Sequence, residues 1–378
     1  MEIMPENEFD AIRPYYPDEM PDALNRIVSS PYFQDLLNYL FPPERHGEIT
    51  AGFTNFTTIE DFQKKVMKFV VLSIIKKTAT SLTSSGIEHL SKKKANVFIA
   101  NHRDILLDSA ILNLILVENN FNTCGITWGD NLIVSPFVED VGKVNKMITV
   151  FRNGSPKEIL RNSQILSKYI RTQVTGKKQS VWIAQRKGRS KDGTDITEMG
   201  VLKMLVLSRD TGIIDSIKSV NLTPVTISYE WEPCDSLKVR ELYISEKHEY
   251  VKEENEDIES IIGGVVSEKG NIHIHIGKPV SDALDKIDTS VSNNEIIQKI
   301  AGIIDQHIHS GYKLWPSNYL AFDLLNNSTK FARKYNDETR KIFNRRLQKT
   351  IGLINGDAVK ITGLFLRLYA NPVYYQLD

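Results

Sequence analysis

Cysteine is nearly absent from this chain: Cys124 and Cys234 are the only two in 378 residues, and they have no CxxC spacing. A disulfide scaffold and a cysteine-based zinc site are thereby excluded, and a reducing compartment fits. An excess of charge is missing as well, since 47 Lys and Arg balance 47 Asp and Glu. Nucleic-acid binding then has no global electrostatic support, and any anion site must be built locally. No uninterrupted apolar run approaches the ~18 residues of a membrane-spanning helix; the longest, "FVVLSII" and "AILNLILV", stop well short. The opening segment "MEIMPENEFDAIRPYYPDEMPDALNRI" carries neither the basic nor the apolar stretch of a secretory signal. Together these absences predict a cytoplasmic protein, soluble or peripheral to the inner face of the membrane. Internal repeats and low-complexity linkers are lacking too, and 41% hydrophobic with 25% charged residues is the composition of an ordinary globular chain.

Hydrophobic spacing divides the chain into three stretches. Residues 1–87 read as a helical N-terminal region, because "DALNRIVSSPYFQDLLNYLF" and "IEDFQKKVMKFVVLSIIKKTATSL" repeat apolar residues at three- and four-residue intervals. Thr58, three residues ahead of Asp61, supplies a start signal for the second helix. Lys64, Lys65, Lys68, Lys76 and Lys77 flank its apolar strip, the pattern of a core helix with a basic face or of an interfacial one. Over 88–320, "ANVFIA", "FNTCGITW", "MITVF", "QSVWIA", "NLTPVTISYE" and "NIHIHIGKPV" alternate with helical patterns such as "SPKEILRNSQILSKYIRTQV" and "MLVLSRDTGIIDSI". Strands alternating with helices predict an α/β domain with a mixed, largely parallel sheet and helices on both faces. Residues 321–378 read as a C-terminal helical region packing on that domain.

The triplet His102-Arg103-Asp104 matches the start of a kinase catalytic loop, but the metal-binding Asn that a kinase needs five residues after the Asp is Ser109. Neither a Gly-rich phosphate loop nor an Asp-Phe-Gly accompanies it, so a kinase is excluded. What remains is a His closing an apolar strand, with Asp104 and Asp108 ahead of a helix. Other strand ends carry cations. Arg152 follows "MITV", and Arg186, Lys187, Gly188, Arg189 and Ser190 follow "VWIA". Open α/β sheets bind ligands at such ends.

In order and spacing, "NHRDILLD", "ITVFRNG", "QRKGRSKDG" and "TPVTISYE" resemble the four blocks of the glycerolipid acyltransferase family, the glycerol-3-phosphate and lysophosphatidate acyltransferases. "WGDNLIVSPFVEDVG" and "IHIGKPV" are similar to the segments between and after those blocks, and the likeness spans residues 95–280. The family's acid stands five residues after its His, whereas Asp108 stands six after His102 and Asp104 two. At ~100° per residue neither spacing shares a helix face, so a turn has to bring the acid back. The helix start "DSAIL" favours Asp108 as the partner and Asp104 as an N-cap. Lys187 stands where the family has a Glu, with Asp192 and Asp195 as acids close by that could replace it.

The resemblance implies transfer of a fatty acyl group from an acyl thioester, coenzyme A or acyl carrier protein, to a hydroxyl of glycerol 3-phosphate or a lysophospholipid. His102 would act as general base, oriented by Asp108 or Asp104. Arg152 and Arg189, with Arg186 and Lys187, would hold the acceptor phosphate in the loop containing Gly188 and Ser190. No cofactor or metal is called for, no nucleic acid is expected, and the membrane surface would be met peripherally. His273 with His275, and His307 with His309, could each put two ligands on one face of a strand, but zinc needs three or four. Two other classes fit the residues: a catalytically silent binder of lipid or phosphate, and an acyl-thioester hydrolase, the latter disfavoured by the lack of a G-x-S-x-G elbow.

Overall fold

The structure, a computed structural model, describes residues 6–246, 248, 250–253 and 256–377; the first five residues of the acidic opening segment lie outside them. Seven strands form one sheet in the order β1-β7-β6-β2-β5-β3-β4. They are β1 Ala79–Ser85, β2 Val97–Ala100, β3 Gly125–Gly129, β4 Met147–Val150, β5 Val181–Ala184, β6 Thr223–Tyr229 and β7 Gly270–Ile276. Every neighbouring pair is parallel except β6 with β7. The expected mixed, largely parallel sheet with helices on both faces is therefore present.

Burial on both faces explains why the central strands are nearly continuous apolar runs. Along β2, Val97 and Ile99 enter one core with the helices Pro156–Arg171 and Asn293–Gly311. Phe98 and Ala100 enter the other, with the helices Lys68–Thr78 and Leu107–Glu118. Beyond the sheet lie two helical clusters, one N-terminal around Leu24, Phe33 and Phe62. The other joins Val239 on the helix Asp235–Ser245 to the helices Pro316–Leu325, Asp337–Leu353 and Ala358–Tyr374.

Three sequence-based boundaries shift. Residues 79–85, read as the tail of a long helix, form the edge strand β1 instead, so the N-terminal region is not helical to residue 87. Its Ser and Thr residues are mostly exposed and lack the apolar alternation that marks a strand. The boundary at 320 falls inside the helix Pro316–Leu325. "MLVLSRDTGIIDSI" is two helices, Met199–Leu205 and Ile213–Ser219. Among the described residues, no helix is long and apolar enough to cross a membrane.

His273 and His275 do share a face of β7, where they hydrogen-bond Thr83 and Ser85. His307 and His309 instead lie on the helix Asn293–Gly311, where a spacing of two turns them away from each other. Among the described residues no group of three metal-capable side chains forms. Burial, then Lys313 and His275, lowers the His273 pKa from 6.5 to about 4. His275 is lowered by burial and by His89, and His307 by burial. The fold thus favours neutral rings. Their contribution to stability is complete above about 6.5, the pKa the unfolded chain restores, and is lost as the pH falls towards 4. Because these rings are half-exposed, solvent screens part of the effect. The melting temperature should fall by a few degrees between pH 7 and pH 4.5, and His273→Gln should flatten that fall in a thermal melt followed by circular dichroism.

Candidate active site

All four resemblance blocks reach the same end of the sheet, because β2, β4, β5 and β6 run parallel and their chains emerge together. His102 follows β2, the strand between β6 and β5. Its Nδ1 lies 2.9 Å from Asp108 Oδ2. Asp104 produces this geometry locally. Its Oδ1 accepts the N–H groups of Leu106 and Leu107 at 3.0 and 2.9 Å, capping the helix Leu107–Glu118 and placing Asp108 in the first turn. The turn then folds back so that Asp108 Oδ2 also accepts the backbone N–H groups of Arg103 and Asp104 at 2.6 and 2.9 Å. Asp108 Oδ1 accepts from the Tyr229 hydroxyl at 2.9 Å.

The site therefore holds one carboxylate supplied with four donors beside an imidazole whose side chain is 13% exposed. Trp182 meets the His102 ring edge-on at 5.6 Å. With Nδ1 facing Asp108, Nε2 is the nitrogen left to meet an incoming group. Asp104 is buried, and burial followed by the like charge of Asp108 raises its pKa. Its Oδ2 packs where Gly264 of the helix Glu256–Val266 carries no side chain; a Cβ there would approach to 2.3 Å.

The predicted anion-binding residues separate into two groups. Arg152 is half-buried, and burial lowers its pKa against the opposing charges of Asp130, Asp257 and Glu198. The Arg152 backbone N–H donates to Asp130 Oδ1 at 3.3 Å. The loop after β5 carries the others. Arg189 lies against Cys234, and Arg189 Nη1 and Arg186 Nε are buried without a hydrogen-bond partner among the described residues. Lys187 is exposed, and its backbone N–H donates to Glu198 Oε2 at 3.0 Å. Gly188 turns the loop at φ +74°. The Ser190 N–H donates to the His102 carbonyl at 2.7 Å, joining this loop directly to the turn that carries His102. The Ser190 hydroxyl is taken by the Thr194 carbonyl at 2.9 Å.

A buried charge network underlies the turn and escaped the sequence reading. Arg103 is wholly buried, with Nη2 at 2.6 Å from Asp195 and Nη1 at 3.4 Å from Glu232. Burial works against the charged guanidinium, but Asp195 and Glu232 outweigh it and raise its pKa. Lys238 Nζ donates to Glu232 at 2.5 Å and to the Arg103 carbonyl at 2.7 Å. Asn101 donates to Asp195 at 3.0 Å. Asp195, one of the acids near Lys187 in sequence, is thus committed to Arg103, and Asp192 accepts from Thr194. Glu198 is the acid beside both Lys187 and Arg152. Gly193 follows the same loop at φ +80°, and a Cβ there would press to 2.3 Å on the Leu368 carbonyl, so only glycine lets the loop meet the helix Ala358–Tyr374.

Next to the turn opens a cavity of about 880 Å³, a size typical of small-molecule sites. Leu106, Leu107 and Ser109, the neighbours of Asp108, form part of its wall, with Leu37, Phe53 and Phe69 from the N-terminal helices. Arg45, Lys65, Lys68, Lys76 and Lys77 also line it, and Phe69 is 57% exposed.

Residues 81–229 match the family model described as acyltransferase. No curated protein matches the chain. Among solved structures, the chain is similar to the 1-acyl-sn-glycerophosphate (LPA) acyltransferase PlsC from Thermotoga maritima, at 13% identity and a TM-score of 0.37, over 75% of this chain and 93% of that one.

Proposed function

We propose, from the match of residues 81–229 to the acyltransferase family model, that the protein moves a fatty acyl group from an acyl thioester to a hydroxyl of glycerol 3-phosphate or a lysophospholipid. The observation that carries the reading is the His102–Asp108 pair at 2.9 Å, inside the matched segment and at the strand ends. The acceptor oxygen attacks the thioester carbonyl while His102 Nε2 takes its proton. Asp108 holds the tautomer with Nδ1–H and stabilises the imidazolium. As the carbon–sulfur bond breaks, the same proton returns to the departing thiolate, so no enzyme nucleophile is acylated. The apolar cavity beside Leu107 is suited to the acyl chain. Its lysines, with exposed Phe69, suit docking to an anionic lipid surface. Arg189 and Arg186 supply unpaired guanidinium N–H groups for a phosphate.

Purified protein, an acyl thioester and a panel of acceptors, read by mass spectrometry, test this directly. The acceptor that gains acyl mass names the substrate, and release of free thiol with no acylated acceptor would instead identify a hydrolase. Two acid variants should separate. Asp108→Asn is expected to reduce turnover by about 10²-fold or more, since an amide cannot accept from all four donors. Asp104→Asn keeps an acceptor oxygen for the helix cap and should retain most activity. Equal loss in both would assign the orienting role to the turn as a whole.

A further inference from the structure

We propose that Tyr229 is a positioning residue that sets the basicity of His102 by acting through Asp108. The inference rests on the acyl-transfer reading above only for its effect on turnover. The two oxygens of Asp108 have different partners. Oδ2 faces His102 Nδ1 and the two backbone N–H groups of the turn. Among the described residues, Oδ1 is held by the Tyr229 hydroxyl alone, at 2.9 Å. Tyr229 is the last residue of β6 and is 1% exposed, so bulk water does not compete for this bond. Burial, then Asp108 and Asp104, pushes its pKa well above the usual phenol value, so it remains a donor wherever the enzyme works.

A donor on Oδ1 draws negative charge away from Oδ2 and weakens the pull of the carboxylate on the imidazole Nδ1–H. Tyr229 therefore lowers the basicity of His102 through this shared carboxylate. The neighbouring charges do not provide this control. Asp104, in the turn, has the same sign as Asp108. Arg103, also in the turn, and Lys238 are paired with Asp195 and Glu232. Lys269, just ahead of β7, faces Asp104.

The test is the protonation of the ring itself, followed by ¹⁵N NMR of His102 in the full chain, beside the pH profile of kcat/KM. Tyr229→Phe keeps the ring and deletes the donor, and should raise the His102 pKa by roughly half a unit or more. The acid limb of the profile should move up with it, and kcat should fall severalfold with KM unchanged. Incorporating 3-fluorotyrosine at 229 makes the phenol a stronger donor without changing its size, and should move the pKa and the limb down. This second variant carries the test if Tyr229→Phe does not fold. A His102 pKa unmoved by either change, or moved the same way by both, overturns the proposal. Opposite shifts with no acylated product in any form would uphold the coupling and reject the acyl-transfer reading instead.

Discussion

His102→Ala should lower acyl transfer by about 10²–10⁴-fold, the usual contribution of a positioned general base. That factor corresponds to roughly 3–5 kcal/mol of transition-state stabilisation. The fold should survive, because among the described residues the imidazole makes a single hydrogen bond, to Asp108, which keeps its other donors from Arg103, Asp104 and Tyr229. Acyl transfer measured beside a thermal melt separates the two effects. An unchanged melt with product at the parental rate would remove His102 from the reaction and leave a fold retained for binding lipid or phosphate.

The second large effect concerns a wholly buried residue beneath the turn. Arg103→Ala should destabilise the protein by about 3–5 kcal/mol, the range found when one partner of a buried ion pair is removed. Asp195, Glu232 and Lys238 would be left with two negative charges and one positive, each side chain at most 3% exposed. Chemical denaturation reads the loss. Adding Glu232→Gln should recover part of it, since the double variant removes one charge of each sign, and additive losses would count against a coupled network. Soluble Arg103→Ala protein should also transfer acyl groups poorly. The Arg103 backbone N–H holds Asp108, and its carbonyl is held by Lys238. The network extends into the C-terminal helices. Tyr369 accepts the Glu232 N–H at 3.1 Å and donates to Asp235 at 2.9 Å, and Arg346 donates to the Glu232 carbonyl at 3.1 Å. The helices after residue 315 thus brace the turn that carries His102.

Sequence alone was enough to place six of the seven strands, since central strands covered on both faces must be apolar, β7 alternates buried isoleucines with half-exposed histidines, and short apolar runs bounded by turn residues are legible one residue at a time. It also located His102, Asp104 and Asp108 at a strand end and the cations of the Arg186–Ser190 loop at another. β1 stayed hidden because an exposed edge strand of Ser and Thr needs no apolar face and draws its hydrogen bonds from β7, nearly two hundred residues away. The choice of acid beside His102 was also beyond helical spacing. It depends on a non-helical turn, closed by Asp104 capping Leu106 and Leu107 and by the turn's own N–H groups on Asp108. The partners of Arg103 lie 92 and 129 residues along the chain, and Tyr229 lies 121 residues from Asp108. Only the packing of β6, β2 and β5 side by side brings them together, because a Coulomb or hydrogen-bond partner is fixed by distance in space and leaves no period in the sequence.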